Sequence, residues 1–547
     1  MIISNKLKLL KAFINCLIAV IVISIVYTSF FGFDLSDEGF NLISSSPDQP
    51  LGWALNYYSR FFGFLGQFFS IGPVELRLLR LVHHVFASFL FAKSIIHLLN
   101  SVQVTVHSPV FSLVFLVGFS TYWVFPNSLT YNALTFNLVQ ISIAILIRLV
   151  IVRTFSAGMI LKGYLSLSLI ICALIYIKIT SAILLFIFIS VVLLLNSVWR
   201  KDKGIRYTGL VIFVISTFSL LFSAHLSEFI TSPFDIIRKA SLVSSLETSH
   251  EPLRLAVAGV RMFVYMVFSF GSGALLSYTF SSQKWRLLPF SLAGFALLLW
   301  VAKGEIVPHT MAMYFLVYLL AWLGFSFQRA KNSNWRIALY WLFTTLLLFV
   351  STVSVFIGTN NSNFLAFAIN FGIFFPAIIF LFPDKRFPIR SVSIFAFLFS
   401  AITLANLYAY PYRQEPVWKM KSEIRPPAGM KIKVGDHVFQ SYEESMNELK
   451  SLGYGFGDPV FALYRLPGLT YLIEAYTPGG ILWNPLQNDA FFHFLSQDTL
   501  QTCNPCYMIR QKEVDEKTFI RNTSLVKVDS VNGDKFDYFR LEGAMGK

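Results

Sequence analysis

The stretch Phe33-Asp34-Leu35-Ser36-Asp37-Glu38-Gly39-Phe40 sets two adjacent carboxylates directly after a long apolar run. A carboxylate held where water meets a membrane surface can take the proton from a sugar hydroxyl or an amine as general base. The plainer alternative is a solvated helix cap, since Asp and Ser are good N-cap residues. Further on, Glu75-Leu76-Arg77-Leu78-Leu79-Arg80-Leu81-Val82-His83-His84 carries Arg77, Arg80 and His84 at i, i+3 and i+7, on one helical face. A phosphate between helices would satisfy such a group, because guanidinium pairs bidentately with phosphate oxygens. The alternative is that the two arginines snorkel to the interface. Lys178, in Tyr176-Ile177-Lys178-Ile179-Thr180-Ser181, interrupts another apolar stretch and could meet an anionic headgroup or simply mark the membrane interface. Arg254 and Arg261 share a face at the start of a later span. Lys303, Glu305 and His309 form a polar cluster that lines the same cavity or makes a loop ion pair of little worth. The run Gly358-Thr359-Asn360-Asn361-Ser362-Asn363 suits hydrogen bonding to a sugar and is equally a plain turn.

The elements that must position these groups follow from composition. Of 547 residues, 55% are hydrophobic, 17% aromatic and 13% charged, with a mean hydropathy of +0.63. A soluble globular chain carries roughly 25% charged residues, so an ordinary water-soluble enzyme, a coiled coil and a disordered chain are excluded. The net charge of +15, from 44 Lys and Arg against 29 Asp and Glu, would suit nucleic acid. Placement of the charges favours a membrane protein, whose cytoplasmic loops retain Lys and Arg. No nucleic-acid partner is expected.

A spanning helix needs about 20 mostly apolar residues. The expected spans are 12–31, 77–99, 108–126, 132–152, 163–177, 180–199, 207–224, 257–280, 287–302, 309–327, 337–357, 364–382 and 391–408. Alternate loops hold Lys6, Lys8 and Lys11; Arg153 and Lys162; Arg200, Lys201, Lys203 and Arg206; Lys284 and Arg286; Arg329, Lys331 and Arg336; Lys385, Arg386 and Arg390. Those loops belong in the cytoplasm. The alternation requires a true turn at Lys178, and it puts the N-terminus inside and the C-terminus outside. The first span is read as an uncleaved signal anchor, because Tyr27 to Phe31 offers no small-residue cleavage site.

The expected fold is therefore a polytopic α-helical membrane protein of about thirteen transmembrane helices, residues 1–408, with a small mixed α/β extracytoplasmic domain over 409–547. Within that domain Val460 to Leu466 and Leu469 to Ala475 read as strands, and Ser441 to Ser451 as a short helix. Cys503-Asn504-Pro505-Cys506 reads as a structural disulfide in an oxidising compartment. A redox or zinc role is weaker without a second cysteine pair. Cys16 and Cys172 are expected simply to pack in spans. No Walker loop, no strand-borne GxGxxG and no HExxH occurs. The energy for an outside reaction must then arrive with an activated lipid-linked substrate.

These residues together resemble the GT-C superfamily of integral membrane glycosyltransferases, similar to the protein mannosyltransferases and the lipid A aminoarabinose transferases. Asp37-Glu38-Gly39 stands where that family keeps its acidic motif, and Arg77 and Arg80 open span two. Pro126-Asn127-Ser128-Leu129-Thr130-Tyr131-Asn132 is like the Tyr-Asn signature of some bacterial members. Lys178-Ile179-Thr180-Ser181 resembles a family Lys-Pro-Thr/Ser element with Ile179 in place of proline. The resemblance covers roughly residues 10–410.

It implies inverting transfer of a monosaccharide from a polyprenyl-phosphate donor to a glycan, lipid or protein acceptor, on the outer face of a bacterial cytoplasmic membrane. Asp37 would be the base, with Glu38 its alternate or its orienting partner. Arg77, Arg80, His84 and Lys178 would hold the donor phosphate. Tyr131, Asn132, Lys303, Glu305, His309 and Asn360 would line the substrate cavity. Some family members use a divalent metal; none is expected here, nor any other cofactor. The alternatives are a glycan polymerase or ligase acting on lipid diphosphate oligosaccharides, and a flippase or transporter. A transporter should show matching halves with broken helices near the midplane, and no such halves are evident. Topology is testable by single-cysteine labelling in intact cells: positions near Asp37 and in 409–547 should react from outside, and those near Lys201 only after permeabilisation.

Overall fold

The computed structural model describes residues 2–44, 68–101, 108–120, 122, 129–151, 157–199, 203–225, 389–409, 411, 414–463, 466–477, 505–512 and 525–543. The expected spans between 257 and 382 lie outside the described residues. The helices are α1 (Ile2–Thr28), α2 (Asp37–Ser44), α3 (Pro73–Ser101), α4 (Pro109–Ser120), α5 (Tyr131–Ile151), α6 (Ala157–Trp199), α7 (Lys203–His225) and α8 (Ile389–Ala409). Among the described residues, four helices are long and apolar enough to cross a membrane: Asn5–Thr28, Pro73–Leu98, Tyr131–Val150 and Leu161–Ser197, with Tyr207–Ser223 a shorter apolar helix. The chain is a multi-pass helical membrane protein.

Side-chain contacts fix the direction of each helix. Asn137 meets His83, and Arg148 meets Ser94, both at a separation of 54 residues, so α3 and α5 run parallel. In α4, Gly118 lies on His84 and Phe111 on Phe89, so α4 runs antiparallel to α3. Gly163 packs on Leu149 while Lys178 reaches Asn132, so the first part of α6 runs antiparallel to α5.

α6 is longer than any bilayer requires. At 1.5 Å per residue, residues 161–197 would extend about 55 Å against a hydrocarbon core of about 30 Å. It breaks at Lys178, whose backbone is extended (φ −157, ψ 90). Ser168 and Cys172 each bond a carbonyl of α7 at a separation of 45 residues, so the arm before Lys178 runs parallel to α7. Phe186, beyond the break, also stacks on Phe213, with centroids 5.3 Å apart. Residues 168 and 186 would stand about 27 Å apart on one straight helix. Both reach Phe213, so the chain doubles back and the expected turn at Lys178 is present.

The ends sort accordingly. The C-terminal end of α1, the start of α3, Tyr122, the start of α5 and Lys178 lie at one end of the bundle. The end of α5, both ends of α6 and the start of α7 lie at the other. Tyr408 donates to Ser24 (3.3 Å) and stacks on Tyr27, so α8 finishes beside the end of α1.

Beyond α8 come a 3-10 turn (Val417–Lys419), β1 (Ser422–Ile424), β2 (Ile432–Val434), α9 (Asp436–Ser451), β3 (Val460–Leu463), α10 (Pro467–Leu472), β4 (Cys506–Gln511), β5 (Leu525–Asn532) and β6 (Phe536–Gly543). β1 and β2 pair antiparallel, and a second sheet has the order β3-β4-β6-β5, with β3 and β4 parallel. The strand expected at Leu469 to Ala475 is instead the helix Pro467–Leu472. Pro467 opens it, where a missing N–H costs nothing, and all six residues are buried, which hides the alternation that separates helix from strand. The helix expected from Ser441 starts earlier, at Asp436. Cys506 is disulfide-bonded, Cys16 and Cys172 are free, and Cys503 lies outside the described residues.

The C-terminal segment buries one core around Leu449, Val460, Ile473, Ile509 and Tyr538. A second core is shared: Ile424, Ile432, Val434, Val438, Tyr471 and Leu472 pack with Phe33, Leu42, Ile43, Val74, Leu76 and Leu129. Where α2 crosses α10 the backbones touch. A Cβ on Gly39 would fall 2.0 Å from Gly468 Cα, and one on Gly468 would fall 2.5 Å from Leu35 Cα. Only glycine permits that approach. Gly39→Val or Gly468→Val should lower stability by at least about 1–3 kcal/mol, read as a fall in melting temperature of the detergent-purified protein, whereas Gly158→Ala, which meets nothing within 4 Å, should leave it unchanged.

Candidate functional site

The last carbonyls of α1 accept from the residues just past it: Ile25 and Val26 from Ser29 N, Tyr27 from Phe30 N and Thr28 from Phe31 N. The chain leaves it through Gly32 in the left-handed region (φ +77), a conformation glycine adopts freely. Arg77, near the start of α3, closes this end. Its Nη1 donates to the carbonyls of Ser29 (2.6 Å) and Phe31 (3.2 Å), and its Nη2 to that of Gly32 (2.8 Å). Its Nε and Nη2 also pair bidentately with Glu38, at 2.8 and 2.7 Å. All five guanidinium N–H groups are thus used, and both side chains are fully buried. Burial raises the Glu38 carboxyl above the usual carboxylate range, and the Arg77 cation opposes that rise. The pair bolts the acidic helix α2 to the ends of α1 and α3.

α2 itself starts from an Asp34 cap. Asp34 Oδ1 accepts from Ser36 N (2.9 Å) and Ser36 Oγ (2.7 Å), and Glu38 Oε2 accepts from Asp34 N (3.3 Å). The capping alternative for this acidic stretch therefore describes Asp34 and Ser36. Asp37 is the first residue of α2 and adjoins Glu38; its side chain lies outside the described residues.

Three expectations change with this geometry. Arg77 was expected to hold a donor phosphate, but its donors are spent on Glu38 and three carbonyls. Glu38 was expected as a catalytic carboxylate, but both its oxygens accept from Arg77. The spacing Arg77, Arg80, His84 does place all three on one buried face, with 0%, 1% and 2% exposure; that face packs against protein. Arg80 lies over the Tyr122 ring (4.0 Å to the centroid) and donates to the Tyr122 carbonyl. Tyr122 donates in turn to the Arg77 carbonyl (3.2 Å). Both ring nitrogens of His84 are engaged, with Asn137 Oδ1 (3.0 Å) and the Gly118 carbonyl (2.9 Å). His84 was expected to hold the phosphate, and instead it ties α3 to α4 and α5.

Lys178 and Asn132 come together: Lys178 Nζ donates to Asn132 Oδ1 (3.2 Å). Lys178 sits in the break of α6, and Asn132 in the first turn of α5. Tyr131, one residue before Asn132, packs against the shared core that contains Phe33 and Leu42. A continuous path thus runs from α2 through Tyr131 and Asn132 to Lys178. Lys303, Glu305, His309 and Asn360 lie outside the described residues. No three His, Cys, Asp or Glu side chains converge among the described residues.

Sequence spacing missed Tyr122, Asn137 and Gln414. Asn137 had a legible signal, since Thr135, Asn137 and Gln140 are polar side chains within a span, where polar groups are costly and tend to face protein. Gln414 meets both Phe33 N and Phe33 O across 381 residues, a contact that no local pattern announces.

The fold and site define a multi-pass membrane protein with an acidic helix clamped to the ends of its first spans. No protein-family model and no curated protein matches the chain. Solved structures similar to it include ArnT from Cupriavidus metallidurans bound to undecaprenyl phosphate, with 8% identity, a TM-score of 0.44, and coverage of 97% of this chain and 98% of that one. The apo state of ArnT gives 11% identity and a TM-score of 0.43, with 97% and 98% covered. The arabinofuranosyltransferase AftD from Mycobacteria gives 13% identity and a TM-score of 0.45, over 96% of this chain and 40% of that one. The chain thus spans less than half the length of AftD.

Removing one member of a buried ion pair strands the other. Arg77→Met and Glu38→Gln should each destabilise the protein by about 3–5 kcal/mol. Arg77→Lys should rescue little, since a three-donor ammonium cannot replace a planar five-donor fork. Thermal unfolding in detergent, compared across the three variants, measures both.

Proposed function

We propose that this chain is a membrane glycosyltransferase that moves a sugar from a polyprenyl-phosphate carrier to an acceptor at the extracytoplasmic membrane surface. One observation carries the reading: the acidic helix opening with Asp37 is clamped at the same end of the bundle as the Lys178–Asn132 pair. In this reading the Asp37 carboxylate and the Lys178 cation serve one reaction zone at that end of the bundle. The sequence resemblance to GT-C glycosyltransferases supports the same assignment.

In this reading Asp37 takes the proton of the acceptor hydroxyl, and the oxygen attacks the anomeric carbon with inversion. The bond from that carbon to the carrier phosphate breaks, and the electron pair leaves on the phosphate. Lys178, oriented by Asn132, stabilises the charge that grows on the leaving group. The Glu38–Arg77 pair orients α2 and makes no contact with the reacting atoms. Lys303, Glu305, His309 and Asn360 stay candidate cavity residues, and residues 409–547 stand with α2 on the outer side.

The test is transfer in a membrane assay with purified carrier-linked sugar, starting with an undecaprenyl-phosphate donor. Asp37→Asn should lower turnover by about 10²–10⁴, with the protein still folded by melting temperature. Lys178→Met should weaken donor use, while Lys178→Arg keeps part of it. Full turnover in Asp37→Asn would remove Asp37 from the mechanism. Donor-independent movement of lipid-linked sugar in proteoliposomes would replace the enzyme by a flippase.

A further inference from the structure

We propose that the C-terminal segment is a working part of the reaction centre, setting the position of α2 through Gln414, a positioning residue. The inference rests on the glycosyltransferase reading and deepens it.

The link between α1 and α2, residues 30–35, is where the position of Asp37 is decided. The C-terminal segment pairs five backbone groups of this link: the Phe30 and Leu35 carbonyls, the Gly32 N–H, and both the N–H and the carbonyl of Phe33. Lys433 N donates to the Phe30 carbonyl (2.8 Å), and Gly32 N donates to the Lys433 carbonyl (2.7 Å). Phe31 thereby joins the edge of β2 as a parallel bridge. Gly468 N donates to the Leu35 carbonyl (2.6 Å). Between these two grips stands Phe33, fully buried. Its N–H donates to Gln414 Oε1 (3.3 Å), and its carbonyl accepts from Gln414 Nε2. One side-chain amide thus does for Phe33 what a neighbouring strand would do, supplying a donor and an acceptor together. Gln414 lies just past α8 and is half-buried, so it contributes little to either hydrophobic core.

The arrangement is asymmetric in a useful way. Arg77, on α3, anchors the base of the link through Ser29, Phe31, Gly32 and Glu38. The C-terminal segment holds the same stretch from the other side. The orientation of α2 is the resultant of both, and a small misplacement of a catalytic group costs much rate.

Gln414→Ala, Gln414→Glu and Gln414→Asn test this. The first readout needs no activity: hydrogen exchange of the peptides covering 30–44 in the detergent-solubilised full chain. Loss of the amide should speed exchange there by about tenfold, while peptides from α9 and β3 stay unchanged. The second is turnover with the lipid-linked donor: kcat should fall by about tenfold with the donor KM unchanged. Gln414→Glu adds a signature that a merely structural role lacks. Its protonated carboxyl carries both a donor and an acceptor, like the amide, whereas its ionised form has only acceptors. Activity of this variant relative to wild type should therefore rise as pH falls through its carboxyl pKa. Unchanged exchange over 30–44 in both Gln414→Ala and Gln414→Glu would overturn the proposal. So would altered exchange with unaltered kcat in an active wild-type enzyme. A wild type without transferase activity, together with faster exchange in the variants, would sink the glycosyltransferase reading and with it the catalytic part of this proposal, while the grip on α2 would stand.

Discussion

A buried guanidinium, Arg77, organises the end of the bundle where the candidate chemistry lies. An arginine with no exposed surface is tolerable only if every donor is met, because stranding a charge in a low-dielectric interior costs several kcal/mol. Arg77 meets that demand with one carboxylate and three carbonyls drawn from two other elements. The carbonyls belong to the link just past α1, and the carboxylate belongs to the helix that follows. The desolvation cost of one side chain thereby dictates how α1, α2 and α3 meet. A looser arrangement would leave either a buried cation or three buried carbonyls unmet.

The bundle supplies the rest by direction alone. α3 and α5 run parallel, α4 and the first arm of α6 run against them, and the break at Lys178 returns the chain. An extended residue inside so apolar a helix leaves backbone groups to be satisfied locally, which neighbouring side chains can do. The break delivers a lysine to the end of the bundle where α5 begins, and Asn132 receives it. The break and the start of α5 thus bring a lysine and an amide together at one end of the bundle.

The C-terminal segment is not a passenger on this surface. It contributes β2, α9 and α10 to a core that also contains Phe33 just before α2, Leu42 within it, and Val74 and Leu76 of α3. Glu75 shows the same sharing in polar form. One carboxylate oxygen accepts from Gly72 N at the start of its own helix (3.0 Å), and the other accepts from Met430 N in the β1–β2 connection (3.1 Å). Two glycines, Gly39 and Gly468, let the two halves come to backbone contact. The division at residue 408 is thus a boundary in composition, while packing runs across it.

The sequence by itself determined what depends on local composition and period. Apolar runs gave the described spans, because a helix that crosses lipid must be apolar along its length. The basic loops implied a turn at Lys178, since a single straight helix there would put successive basic loops on opposite sides. The i, i+3, i+7 spacing put Arg77, Arg80 and His84 on one buried face. Only the tertiary structure decided what that face meets. A guanidinium that pairs with a phosphate and one that pairs with Glu38 look alike in sequence, because the partner lies 39 residues away and its choice is made by packing. The same holds for Gln414 and Phe33, 381 residues apart, and for α10, whose six buried residues erase the polar side of the pattern that tells helix from strand. Local periodicity reports which side chains share a face; which surface that face is pressed against is a long-range property of the fold.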